Sequence, residues 1–137
     1  MKHLVFVYGS LLAGLGNHRL LRDSGARLVC EASTGAARFT MLDLGAFPGV
    51  VEGGDQRIAG EIYEVSDACF ARLDQLEGYP HFYTRKRVRT SVGVRAWIYL
   101  LANPRCRSEE LVPAGQWRAH FTAKQARVTR HGWERWV

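Results

Sequence analysis

Residues 66–80 read Ser66-Asp67-Ala68-Cys69-Phe70-Ala71-Arg72-Leu73-Asp74-Gln75-Leu76-Glu77-Gly78-Tyr79-Pro80. Both ends of a helix are written into this stretch. The Ser66 hydroxyl can accept from the free N–H groups of a first turn, and Asp67 puts negative charge where the helix dipole favours it. Gly78 stands where a left-handed residue ends a helix, and Pro80 prevents continuation. The spacing predicts a helix from Asp67 to about Glu77. At roughly 100° per residue, Cys69, Phe70, Leu73 and Leu76 fall within an arc of about 120°. Glu77 falls inside that arc and Asp74 outside it.

A carboxylate on a core-facing stripe meets a desolvation cost, and in the last helical turn the dipole also disfavours negative charge. Both effects favour the neutral acid, so a raised pKa is expected. A carboxyl tuned upward suits a general base working near neutrality. Helix geometry alone equally allows a Glu at a frayed end that turns into solvent.

Outward from this helix the chain reads mostly as strands. His3 to Tyr8 contains the run Leu4-Val5-Phe6-Val7 of a buried central strand. A short helix is expected over Asn17 to Leu21, and two strand pieces between Arg27 and Leu42, separated by Gly35. Phe47-Pro48-Gly49 reads as a turn, and Arg57 to Val65 as a strand. Tyr83 to Ser91 and Gly93 to Leu101 read as two strands joined near Val92-Gly93. Asn103 to Gly115 reads as a polar loop and Trp117 to Gln125 as a terminal helix. Strands that outnumber helices without regular alternation predict an α+β fold with a mixed or mostly antiparallel sheet, curled into a barrel, and disfavour a doubly wound nucleotide fold. One domain over residues 1–137 is expected, since no repeat or linker interrupts the chain.

The composition is ordinary for a globular protein, with 47% hydrophobic and 23% charged residues. No apolar run approaches the roughly 20 residues of a membrane span, and no signal-peptide pattern opens the chain. Cys30, Cys69 and Cys106 are three in number and widely spaced, which argues against a disulfide framework and for reduced thiols. Together these features point to the cytoplasm, with no membrane partner. The five histidines show no metal-ligand spacing, so no metal is expected.

The net charge of +6 is local. Thr84 to Arg95 and Trp117 to Val137 each carry five basic residues, against no acid in the first and Glu134 alone in the second. Arg85, Arg87 and Arg89 alternate and share one face of a strand, with Tyr79, Phe82 and Tyr83 nearby. A solvated face is the ordinary reading; an anion- or nucleic-acid-binding strand is the alternative.

Tyr8-Gly9-Ser10-Leu11 follows the first strand immediately. Successive N–H groups in a glycine-containing turn can converge on an anion, and the Tyr8 and Ser10 hydroxyls can add contacts. A plain turn reads the same way. The flanks of Ser10 are not G-x-S-x-G, so a nucleophilic serine is not supported. Gly9, Gly14 and Gly16 form neither G-x-G-x-x-G nor a P-loop.

Taken together, Val5-Phe6-Val7-Tyr8-Gly9-Ser10-Leu11 with Asn17, Phe47-Pro48-Gly49, Gly60-Glu61-Ile62-Tyr63, Leu73-Asp74-Gln75-Leu76-Glu77-Gly78-Tyr79-Pro80 with Tyr83, Arg85 and Val88, and Ala96-Trp97-Ile98-Tyr99 resemble the γ-glutamylcyclotransferase-like superfamily, which includes γ-glutamylamine cyclotransferases and AIG2-like proteins. The resemblance spans roughly residues 3 to 101, with a loose match at Gly115-Gln116-Trp117. It implies a small mixed β-barrel flanked by short helices. It implies that Tyr8, Gly9, Ser10 and Leu11 line the pocket for a glutamyl group and that Glu77 is the proton acceptor. The implied reaction closes a γ-glutamyl amide into 5-oxoproline and releases an amine or amino acid. It needs no cofactor, and its partner is a small γ-glutamyl molecule; nucleic acid is not expected. The open side of the pocket is expected from Ala46 to Gly54 and Asn103 to Gly115.

Overall fold

The computed structural model describes residues 1–103 and 110–134, with side chains to residue 127. The elements run β1 (Lys2–Val7), α1 (His18–Asp23), β2 (Arg27–Ser33), β3 (Phe39–Asp43), β4 (Pro48–Glu52), β5 (Ala59–Ser66), α2 (Asp67–Glu77), β6 (Tyr83–Arg89), β7 (Arg95–Leu101), β8 (Glu110–Leu111) and, after a 3-10 turn at Pro113–Gly115, α3 (Trp117–Glu134). Five strands form one sheet in the order β2-β5-β1-β7-β6, and three form a second in the order β4-β3-β8. Only the β1–β7 pairing in the first sheet is parallel; its neighbours are antiparallel. The fold is therefore mixed α+β, as expected. The barrel is not closed: β2 and β6 lie at opposite edges, and their ends meet at the Thr34–Thr90 bridge, where Ser33 N–H also donates to Ser91 Oγ at 3.0 Å.

The apolar run of β1 occupies the middle of the five-stranded sheet because it is buried on both faces. Val5 and Val7 point into a cluster with Leu21 of α1 and Cys69, Phe70 and Leu73 of α2. Phe6 and the following Tyr8 point the other way, into a cluster with Met41 and Val50 of the second sheet and Trp117 of α3. This period-2 partition places the residues just after β1 at the junction of both clusters. Gly60 of β5 is required there, because a Cβ would lie 2.2 Å from the Val7 carbonyl oxygen.

Helix α2 begins and ends where the sequence says. The Ser66 hydroxyl accepts from Cys69 N–H at 3.1 Å, and Gly78 closes the helix at φ 65°, ψ 34°. Its buried residues are Cys69, Phe70 and Leu73. Leu76, expected on the same core-facing stripe, is instead 42% exposed, because the stripe runs off the core in the last turn.

Two other expectations need correction. Phe47-Pro48-Gly49 is not wholly a turn: the turn spans 44–47, closed by Leu44 N–H to Phe47 carbonyl at 3.0 Å, and Pro48 already opens β4. Pro48 is tolerated at a first strand position, where its missing donor matters least. The terminal helix continues past Gln125 to Glu134. The part of the polar loop at 104–109, with Cys106, lies outside the described residues; of the remaining thiols Cys69 is buried and Cys30 half-buried.

Candidate active site

One cavity of about 310 Å³ opens where the end of β1, the 44–48 turn and the end of α2 converge. Tyr8, Gly9, Ser10 and Leu11 line it, and so does Glu77. Residues 66 positions apart in sequence are thus brought to one wall system by the core just described. The chain loops over itself between β1 and α1: Leu12 N–H donates to Gly9 carbonyl at 3.0 Å, Asn17 N–H to Ser10 carbonyl at 2.9 Å, and Asn17 Nδ2 to Ser10 Oγ at 2.9 Å. Among the described residues, no protein acceptor meets the N–H groups of Ser10 and Leu11. Such N–H groups are ready to receive an anionic oxygen.

Gly9 has a reason different from the one its sequence suggests. Its φ is not positive; instead, a Cβ there would lie 2.8 Å from the Pro48 ring. The glycine permits close approach of the turn to β4, not an unusual backbone angle.

Glu77 is half-buried, and burial pushes its carboxyl up to about 7. Among the described residues no hydrogen-bond donor or cation partners it, so desolvation acts alone and the carboxylate is free to accept from a bound molecule. The Glu at a frayed helix end turning into solvent is therefore not what forms here: α2 stays ordered to its glycine cap and carries the side chain into the cavity wall.

Three tyrosines complete the wall. Tyr8 donates to Tyr99 carbonyl at 2.8 Å, Tyr83 to Pro48 carbonyl at 2.6 Å, and Tyr99 to Asp74 Oδ1 at 2.7 Å. Burial, with Tyr83 and Glu77 adding repulsion, holds the Tyr8 phenol far above its ordinary pKa. Tyr99 is likewise raised, first by burial and then by Asp74. Both remain neutral phenols at any working pH. Tyr83 and Arg85 follow the acid closely in sequence, which suggests that they shape the pocket or, alternatively, that Tyr83 packs and Arg85 pairs with an acid; Tyr83 lines the cavity, while Tyr99, known in the sequence only from the closing-strand motif, reaches it through sheet order.

Arg85 does not line the cavity. Its guanidinium grips Asp74 through two bonds of 2.9 and 3.0 Å and lies 4.3 Å from the Phe70 ring centroid and 4.7 Å from that of Trp97. Of the three alternating arginines, only Arg87 and Arg89 are exposed, so the basic strand loses its first member to an internal ion pair. Ser10 meets Asn17 rather than a histidine, and no histidine lines the cavity among the described residues. Elsewhere, Asp43, Glu110 and His120 bring possible ligand atoms within 4.8 Å of one another. The Lys124 ammonium, 2.8 Å from Asp43 Oδ2, already meets that carboxylate together with His120. Among the described residues, no helix is long and apolar enough to cross a membrane.

The open α+β fold thus brings a carboxyl raised to about 7 and the 8–11 turn to the wall of one cavity. The family model described as gamma-glutamyl cyclotransferase, AIG2-like, matches residues 5–119, and the chain belongs to that family. The match extends past residue 101 and includes Trp117. A putative gamma-glutamylcyclotransferase of Vibrio cholerae is 41% identical over 117 residues, covering 85% of this chain and 96% of that one. The gamma-glutamylcyclotransferase family protein YtfP of Escherichia coli is 32% identical, covering 82% and 94%. A mouse AIG2-like protein superposes with a TM-score of 0.75 at 25% identity, over 82% of this chain and 87% of that one.

Proposed function

We propose that the protein cyclises a γ-glutamyl amide to 5-oxoproline and releases an amine. The observation that carries this reading is the unpartnered Glu77 carboxyl, raised to about 7, in the same cavity as the open Ser10 and Leu11 N–H groups.

A γ-glutamyl amide contains its own nucleophile. Its α-amine must lose a proton, reach the side-chain carbonyl carbon and displace the amide nitrogen. The N–H groups of the 9–11 turn receive the α-carboxylate and hold the chain folded. Fixing a near-attack geometry supplies several kcal/mol, with about 7–11 as an upper range. Glu77 takes the proton from the α-ammonium. The new C–N bond forms as the old one breaks, and Glu77 returns protons to the departing nitrogen. Both protons lost by the ammonium end on the leaving amine, so the balance closes without a co-reactant. General acid–base help of this kind is worth about 10²–10⁴-fold.

The test is a turnover assay on γ-glutamyl amides, following 5-oxoproline by mass spectrometry, with Glu77→Gln alongside. Release by the native protein and its loss, by about 100-fold or more, in a folded Glu77→Gln variant is the expected result. Undiminished release in that variant would remove Glu77 from the reaction.

A further inference from the structure

We infer that the substituent on the scissile amide nitrogen is an uncharged, apolar group, aryl or branched alkyl, seated against Phe47, Leu76 and Phe82. This rests on the cyclisation reading above and names its substrate class.

The apolar side chains of the cavity lining differ in exposure. Phe6, Val7 and Leu11 line it from β1 and its turn but are buried, whereas the exposed apolar side chains of the lining come from the 46–48 segment, the last turn of α2 and the chain leading into β6. Phe47, Leu76 and Phe82 are 37%, 42% and 48% exposed. Large apolar side chains exposed singly need no explanation, but several rimming one cavity mark a binding surface. Phe47 and Phe82 come from different elements and meet edge-to-face, with ring centroids 6.0 Å apart. Their remaining open faces offer an aromatic wall rather than a hydrogen-bonding one.

Charge sharpens the choice. Glu77 is the only charged side chain lining the cavity among the described residues. The glutamyl head brings one carboxylate, which the backbone N–H groups of the turn can take. An amino-acid leaving group brings a second carboxylate, and an ε-linked lysine brings an ammonium besides. Among the described residues, no cationic side chain lines the cavity to meet that second carboxylate. The first arginine of the following strand, Arg85, is paired with Asp74. The amide nitrogen that becomes the leaving amine is neutral in the substrate, so an apolar amine enters with no charge to desolvate.

The experiment is a kcat/KM series on four compounds with the same head: γ-glutamyl methylamide, γ-glutamyl phenethylamide, γ-glutamylphenylalanine and γ-glutamyl-ε-lysine. The phenethylamide should exceed γ-glutamylphenylalanine, from which it differs by one carboxylate, by about 10-fold or more. In Phe82→Ala the preference for phenethylamide over methylamide should fall about 10-fold, and Phe82→Leu provides the same reading should the alanine variant fold poorly. Release of 5-oxoproline from γ-glutamylphenylalanine or γ-glutamyl-ε-lysine at least as efficiently as from the phenethylamide would overturn the inference and leave the cyclisation reading standing. No release from any of the four would overturn the cyclisation reading, and the inference with it.

Discussion

Glu61 and Arg118 hold the two backbone polar groups of a single residue, Ala13. The Glu61 carboxylate accepts from Ala13 N–H at 2.9 Å, and Arg118 Nη2 donates to the Ala13 carbonyl at 2.7 Å while meeting Glu61 itself at 3.2 Å. Tyr63 adds a third donor to Glu61 at 3.0 Å. Glu61 lies on β5 and Arg118 in the first turn of α3, so both clamp the loop whose earlier residues line the cavity. Arg118→Met leaves a buried carboxylate short of its cation. The cost should be about 1–3 kcal/mol, below the full value for a buried pair because Arg118 is 44% exposed. Urea denaturation measures it. With the clamp loosened, KM for a γ-glutamyl substrate should rise several-fold with kcat nearly kept; a fall in kcat at constant KM would contradict a positioning role.

The reaction should depend on pH through Glu77. Only its ionised form accepts a proton, so kcat/KM, which reports the free enzyme, should climb as pH rises through about 7. A kcat/KM profile already flat from about pH 5.5 to 8 would assign the base elsewhere.

The same group should cost stability where it is ionised. Its folded pKa, about 7, stands above the unfolded value near 4.5, so the folded state binds the extra proton between those limits. Stability therefore falls as pH rises across that window. Glu77→Gln should be the more stable protein at pH 8, by about 1–3 kcal/mol. The difference should shrink to nothing below about pH 4.5. Thermal melts of both proteins at pH 4.5 and 8 give the comparison; a gap independent of pH would mean the carboxyl is not buried in its charged form.

Gly9→Ala should push the turn away from Pro48. The 2.8 Å approach is to ring carbons that cannot rotate aside, so one of the two segments must shift. A loss of about 1–3 kcal/mol is expected, with weaker substrate binding. Substitution at Gly14, where a Cβ meets nothing within 4 Å but φ is +86°, should cost through backbone strain alone and spare the cavity. Equal effects of the two on KM would show that the Gly9–Pro48 approach does not shape the pocket.

The sequence by itself determined α2 and the position of Glu77, because both are local. Ser66 caps its own helix three residues on, Gly78 ends it, and helical periodicity alone sets Glu77 beside Phe70 and Leu73. It determined β1 as the central strand, since an apolar run without polar alternation needs burial on two faces. Its motifs carried the family, and with it the turn at 8–11. Tertiary structure decided what depends on partners far along the chain. Arg85 reads as a member of a basic strand, as a pocket residue or as the partner of an acid until α2 brings Asp74 beside it. Gly9 looks like a turn glycine until β4 brings Pro48 against it. Glu61 is one charge within a strand until the loop before α1 and the start of α3 converge on it, 48 and 57 residues away. Burial has the same origin. The raised carboxyl at Glu77 reflects the whole set of walls that exclude water around it, and no local pattern contains that sum.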